Sequence, residues 1–170
     1  MPRLSHRELN PHLYRRMAAL NSAVESCGLD RSLLELIKMR ASQINGCAFC
    51  LDMHSKDARA FGETEQRLYA LNAWRETPFY TDQERAALAL TEAITLITDG
   101  HVTDEVYEQA CSVFAEKEVS QIIWAATVIN SWNRLAISAR SEPGSYQPDP
   151  PTHAAAHLGA RPSDREQPLP

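Results

Sequence analysis

The stretch Cys47-Ala-Phe-Cys50-Leu-Asp-Met-His54 sets two thiols three residues apart and an imidazole four residues beyond the second. Gly46 comes directly before it, so the pattern predicts that both sulfurs lie in the first turn of a helix. Unpaired backbone N–H groups and the helix dipole favour an anion there, and a thiolate is an anion. On a helix His54 shares a face with both cysteines. An imidazole within reach of a thiol takes its proton or stabilises the thiolate, and either makes sulfur a nucleophile at neutral pH. Two cysteines at this spacing can close a disulfide. One can attack a peroxide oxygen and become a sulfenic acid, which the other resolves. The dipole favours Cys47 as the anion, whereas the i, i+4 contact favours His54 acting on Cys50. The residues alone do not choose.

Two plainer readings compete. A lone CxxC could be half of a zinc site completed by His54 and a carboxylate, although a structural zinc site usually shows a second Cys or His pair, and this chain has none. The two thiols could also be unreactive core groups. The other cysteines, Cys27 and Cys111, are isolated in helical patterns and are read as small core residues. Glu35 lies among Leu33, Leu34, Leu36 and Ile37. It is either a surface carboxylate pairing with Lys38 or Arg31, or a buried acid whose raised pKa suits proton transfer.

The elements that position these groups read as helices throughout. Apolar residues recur at helical spacing, and no alternating strand pattern appears. A first helix is expected over 11–26, capped by Asn10 with Pro11 in the first position, its stripe being Leu13, Met17, Leu20 and Val24. A second runs over about 31–44 behind Asp30, and Asn45-Gly46 stops it. A third runs from near Cys47 to Phe61, and Thr64 caps a fourth over 65–74. Thr81-Asp-Gln-Glu84 is a capping box opening a fifth to about 98. Thr103 caps 104–114, and a long helix covers about 117–139, apolar over a wide arc and so buried in the domain or at a subunit contact. The expectation is an all-α bundle of six to seven helices over residues 1–140.

The chain has 170 residues, 44% of them hydrophobic and 23% charged, with a net charge of −5. That suits one soluble domain. It argues against binding nucleic acid or an anionic membrane through a broad basic surface. No apolar run is long enough to span a bilayer, and the polar start MPRLSHRELNPHLYRR lacks a signal-peptide core. A cytoplasmic location is expected, where a close cysteine pair reads as catalytic or metal-binding. Residues 141–170 hold seven of the ten prolines. They are read as an extended or disordered tail that could wrap over the domain or a neighbouring subunit.

Glu35, then eleven residues, then Cys47-x-x-Cys50-x-x-x-His54, with the flanking Lys38–Gly46 and Ala58-Arg-Ala-Phe-Gly62 and the later Ile129–Leu135, resembles the alkyl hydroperoxidase D-like core of the carboxymuconolactone decarboxylase family. The resemblance spans about residues 10–146. It implies an all-helical, AhpD-like protein that assembles as a trimer, hexamer or similar ring. It implies a peroxidase reducing small hydroperoxides without metal or organic cofactor, with an external thiol reductant restoring the dithiol. In that scheme Cys50 attacks peroxide, Cys47 resolves, His54 activates Cys50 and Glu35 completes the proton relay. Some relatives carry a histidine between the cysteines. This chain has Phe49 there, so the implied relay runs through His54 and Glu35. The rival from another class is a non-catalytic redox sensor or oligomeric binding module of the same fold.

Among the remaining residues, Trp74, Phe79 and Tyr80 are read as core or a subunit contact, with a substrate entrance as the alternative. Asn130, Trp132, Asn133 and Arg134 are read as groups that hydrogen-bond to the redox helix or hold an oligomer. His6, His12, His101, His153 and His157 read as solvated.

Overall fold

Helix α3, Arg31–Asn45, organises the molecule. Nine of its fifteen residues are buried, more than one face of a surface helix can hide, so it must be enclosed on several sides. The computed structural model describes residues 1–148. In it α3 packs against α4 (Ala48–Ala60), α6 (Asp82–Thr95) and α8 (Glu116–Ala139). Leu34, Leu36 and Ile37 are fully buried. Each contributes about 1.5–3 kcal/mol by burial, more than the ~1 kcal/mol of a helix cap. Packing therefore fixes the position of α3, and its Asp30 cap, which accepts from the Leu33 N–H at 3.0 Å, fixes only where it starts.

The other elements are α1 (His6–Leu9), α2 (Pro11–Glu25), α5 (Glu65–Ala70), a 3₁₀ turn over Leu71–Glu76, and α7 (Asp104–Val113). No strand occurs among the described residues. Thr64, Thr81 and Thr103 cap their helices through their side chains, and Glu84 completes the capping box. One core lies between α3, α6 and α8, around Leu34, Ile37, Ala87, Leu90 and Ile122. A second lies around Leu36, Met39, Leu71, Trp74, Tyr80 and Leu88. Trp74 and Tyr80 belong to it, which makes them core residues and not an entrance.

Several expectations need correction. Among the described residues eight α-helices form, where six to seven were expected. Helix α1 is four residues long, too short to show a period. The expected helix 65–74 divides at Ala73 (φ −115°, ψ 30°), where α5 has already passed into the 3₁₀ turn. Asn10 makes no side-chain cap on α2. Leu13 and Leu20 are exposed; on α2 Val24 is buried and Met17 half-buried. Cys111 is exposed too, because the inward face of α7 runs through Val106, Ala110 and Val113, and Cys111 sits one position off it. The beginning of the Pro-rich tail packs on α4: the Gly144 N–H donates to Asp52 at 2.9 Å and the Tyr146 hydroxyl to Asp57 at 2.6 Å. The remainder of that tail, with His153 and His157, lies outside the described residues.

Candidate functional site

Gly46 makes the site possible. It adopts φ +68° as the C-cap of α3, a conformation that glycine takes without a Cβ penalty. The chain thereby folds α4 back against α3 within two residues. Cys47 becomes the N-cap of α4 and Cys50 falls in its first turn. The two Sγ atoms lie 2.7 Å apart, both buried.

His54 follows one turn after Cys50 on α4. Its Nδ1 is 2.9 Å from Glu35 Oε2. Burial pushes the Glu35 carboxyl up, but the hydrogen bond and charge of His54, together with Lys38, more than offset this and hold it below the usual carboxylate range. The buried acid is thus a carboxylate and not the raised-pKa proton donor that the sequence allowed. A carboxylate can only accept, so Nδ1–H of His54 donates to it. Nε2 is left to take a proton. The other Glu35 oxygen is 3.0 Å from Lys38 Nζ, which also pairs with Glu25. Each reading of Glu35 is right in part: it is buried, but as a carboxylate, and it pairs with Lys38, but not at the surface.

A second network braces the thiols from α8. Asn133 is fully buried and donates to Ser42 Oγ at 3.0 Å. Asn45 Nδ2 bridges the side-chain oxygens of Asn130 and Asn133, both at 2.8 Å. Asn130 in turn donates to Thr95 Oγ1. These contacts clamp the α3–α4 turn, and Asn133 also lends a hydrogen bond to both cysteines.

The thiols share their protons unequally. A hydrogen bond from Cys50, with backbone N–H groups and Asn133, brings the Cys47 pKa down to about 7 against the opposing effect of burial. Holding that bond to Cys47, burial, and the Cys47 charge push Cys50 up. The pair should lose its first proton near pH 7, against about 8.5 for a free thiol. Lowering a thiol pKa makes thiolate appear at lower pH. At pH 6 the thiolate fraction should therefore be ~30-fold above that of an ordinary cysteine. Ultraviolet thiolate absorbance against pH, with Cys27 and Cys111 replaced by serine, checks this. A midpoint above about 8 would refute it.

Access differs as well. A cavity of about 680 Å³ is bordered by Cys50 and His54, with Phe49, Met53, Trp132 and Leu135 among its walls and the residues before α1 and after α8 at its edge. Cys47 does not border it. Another cavity of about 640 Å³, between α6, α7 and α8, holds no thiol.

The structure thus brings Glu35, Cys47, Cys50 and His54 into one site. It adds three groups that the sequence reading did not single out for it. Lys38 was visible there only as an ion-pair partner. Asp57 stands three residues after His54 on the same face of α4, a spacing that could have revealed it. Burial pushes its carboxyl up. Tyr146 reaches Asp57 from a distant part of the chain that no local pattern marks. Glu35, His54 and Asp57 bring three ligating atoms within 4.8 Å of one another. Neither sulfur belongs to that group, so the competing zinc reading, which needs both thiolates with His54, finds no matching cluster among the described residues.

Fold and site together define a class: an all-helical bundle with a buried dithiol at a helix start, backed by a histidine–carboxylate pair. The sequence profile of the carboxymuconolactone decarboxylase family matches residues 11–93. The uncharacterized protein YdfG of Bacillus subtilis is 44% identical over 136 residues, covering 80% of this chain and 92% of that protein. A protein of unknown function from Agrobacterium tumefaciens, ATU0492, described as a candidate AhpD antioxidant defence protein, superposes with a TM-score of 0.83. It is 39% identical over 86% of this chain and the whole of its own. The chain belongs to the carboxymuconolactone decarboxylase family, among its AhpD-like members. More distant folds include the alkylhydroperoxidase AhpD core of a peroxidase-related protein from Ralstonia eutropha (17% identity, TM-score 0.72, 82% of this chain and 74% of that one). They also include the debrominase Bmp8 (21%, 0.70, 80% and 73%). At these identities the likenesses speak for the fold alone.

Proposed function

We propose that this protein is a thiol-dependent peroxidase that reduces small organic hydroperoxides through a Cys47–Cys50 disulfide. A fold shared with a debrominase does not select the reaction. The observation that carries the reading is the cavity, which opens on Cys50 and His54 while a second, lowered-pKa sulfur waits 2.7 Å behind.

His54 Nε2, oriented by Glu35, takes the Cys50 proton. The thiolate attacks the terminal peroxide oxygen. The S–O bond forms, the O–O bond breaks, and the alkoxide leaves and is protonated to the alcohol through solvent, which takes up the proton that Cys47 releases in becoming a thiolate. Cys47, already the more acidic thiol, then attacks the Cys50 sulfenic acid as thiolate. The hydroxyl leaves with the His54 proton as water, and the disulfide remains. An external thiol returns two electrons by exchange. A cytoplasmic setting would supply that reductant. Exposed Leu13, Leu20, Trp124 and Ile137 support assembly of several copies, in keeping with a trimer or hexamer.

Turnover separates this reading from a redox sensor. With excess tert-butyl hydroperoxide and dithiothreitol, the protein should consume many equivalents of peroxide. One equivalent per dithiol and then arrest would favour the sensor.

A further inference from the structure

We infer that Asp57 is a further positioning residue of this site: a second carboxylate, held by Tyr146, that joins Glu35 in steadying the proton His54 takes from Cys50. This rests on the role given to His54 in the peroxidase reading above.

The geometry sets Asp57 against the imidazole. It stands three residues after His54 on α4, and residues at that spacing share a helix face. One of its oxygens lies within 4.8 Å of both a His54 ring nitrogen and a Glu35 oxygen. Neither thiol belongs to that group, so the charge of Asp57 bears on His54 more than on sulfur. Asp57 does not border the cavity either. It reaches the reaction through His54 and not through substrate. The strap after α8 fixes it there. The Gly144 N–H donates to Asp52 at 2.9 Å, and Lys56 Nζ donates to the Tyr146 carbonyl at 3.0 Å. So tied along α4, Tyr146 donates its hydroxyl to Asp57 Oδ1 at 2.6 Å. That bond fixes the rotation of the carboxyl group and keeps it an acceptor.

The charges around His54 say what a second carboxylate does. With His54 neutral, Glu25 on α2, Glu35 on α3 and Asp57 on α4 face a single ammonium, that of Lys38 on α3. Lys38 is engaged by Glu25 and Glu35. Excess negative charge away from water is costly, and carboxylates this close repel one another. Burial and the Glu35 charge accordingly push the Asp57 carboxyl up, while the Tyr146 hydroxyl and the charge of His54 pull it back. A proton arriving on His54 places a cation beside both carboxylates and relieves the repulsion. Cys50 is the thiol that needs such an acceptor, because its bond to Cys47, burial and the Cys47 charge all make it hold its proton. Asp57 thus favours the state in which Cys50 is a thiolate and His54 an imidazolium.

The test turns on Asp57→Asn, which removes the charge yet keeps an oxygen that accepts from Tyr146. Single-turnover disulfide formation by the reduced full chain with tert-butyl hydroperoxide is followed from about pH 6 to about pH 10. At neutral pH Asp57→Asn should react ~10-fold more slowly, the share of one opposite charge at this distance. The deficit should close in alkali, where hydroxide removes the Cys50 proton and His54 stays neutral. Asp57→Glu, which returns the charge on a longer arm, should recover part of the loss. Tyr146→Phe, which leaves the charge in place, should lose less than Asp57→Asn. A wild-type rate for Asp57→Asn at neutral pH would overturn the assignment. A deficit that stays constant with pH would do the same and make Asp57 only an anchor for the strap. So would a larger loss in Tyr146→Phe, since the contact and not the charge would then matter. Alkylation of Cys50 by iodoacetamide in a Cys47→Ser background, located by peptide mass, reads the thiolate without peroxide and should show the same pH-dependent deficit. If the wild type is inert to hydroperoxide while that deficit is present, the peroxidase reading falls and the assignment of Asp57 stands. If the deficit is missing, the assignment falls whatever the peroxide does.

Discussion

Cys50→Ser should leave the reduced protein inert to hydroperoxide, with its single-turnover rate down by at least ~10³-fold, whereas Cys47→Ser should still consume one equivalent. Two physical arguments point to different sulfurs. Acidity favours Cys47, which the Cys50 thiol, the start of α4 and Asn133 bring down to about 7. Access favours Cys50, which borders the cavity beside His54 while Cys47 does not. Access decides the first step, because an anion that cannot touch peroxide cannot attack it. A proton can still pass between sulfurs 2.7 Å apart or from Cys50 to His54. Acidity decides the second step, in which Cys47 must be the nucleophile. Cys47→Ser should therefore stop at a Cys50 sulfenic acid that dimedone traps. The same adduct on Cys47 in Cys50→Ser would reverse the assignment.

Glu35→Ala should be the most destabilising single change in the site. Glu35 is almost completely buried between His54 and Lys38. Its removal leaves the Lys38 ammonium, itself buried, with Glu25 alone. Breaking a buried ion pair costs about 3–5 kcal/mol, which lowers Tm by roughly 10 °C in a domain of this size. The sign of the pH dependence follows from the lowered carboxyl. Its stabilising contribution is complete above the ordinary value of 4.5 and fades as pH falls through the lower folded value. Calorimetry at neutral pH and at about pH 3 checks both points: the gap between wild type and variant should narrow in acid. Glu35→Gln keeps the shape, so it should fold yet react about 10²-fold more slowly with peroxide, because a neutral amide no longer steadies the His54 imidazolium. A Glu35→Gln rate equal to that of the wild type would remove Glu35 from the proton path.

Local signals were legible in this sequence wherever one residue type does one job. Asp30, Thr64, Thr81 with Glu84, and Thr103 each mark a helix start, and all four cap as expected. Gly46 marks the turn that presents the thiols. Glu35, Cys47, Cys50 and His54 stand out by type and spacing, and the fold gathers them. What depends on the partner surface was hidden. Leu13 and Leu20 continue the stripe of α2, yet nothing among the described residues covers them. Cys111 lies only one position from the buried Ala110. Tyr146 reaches Asp57 on α4 across 89 residues, and the N–H of Arg3 is tied to the carbonyl of Ala139 near the end of α8. No periodicity encodes contacts at that separation.

The most direct measurement adds one equivalent of an organic hydroperoxide to the fully reduced wild-type protein and follows intact mass and free thiols in time. The expected result is a rapid loss of two hydrogens and two thiols, with peptide mapping placing the new bond between Cys47 and Cys50. Thiols that persist as long as those of free cysteine under the same conditions would contradict a peroxidase at this site.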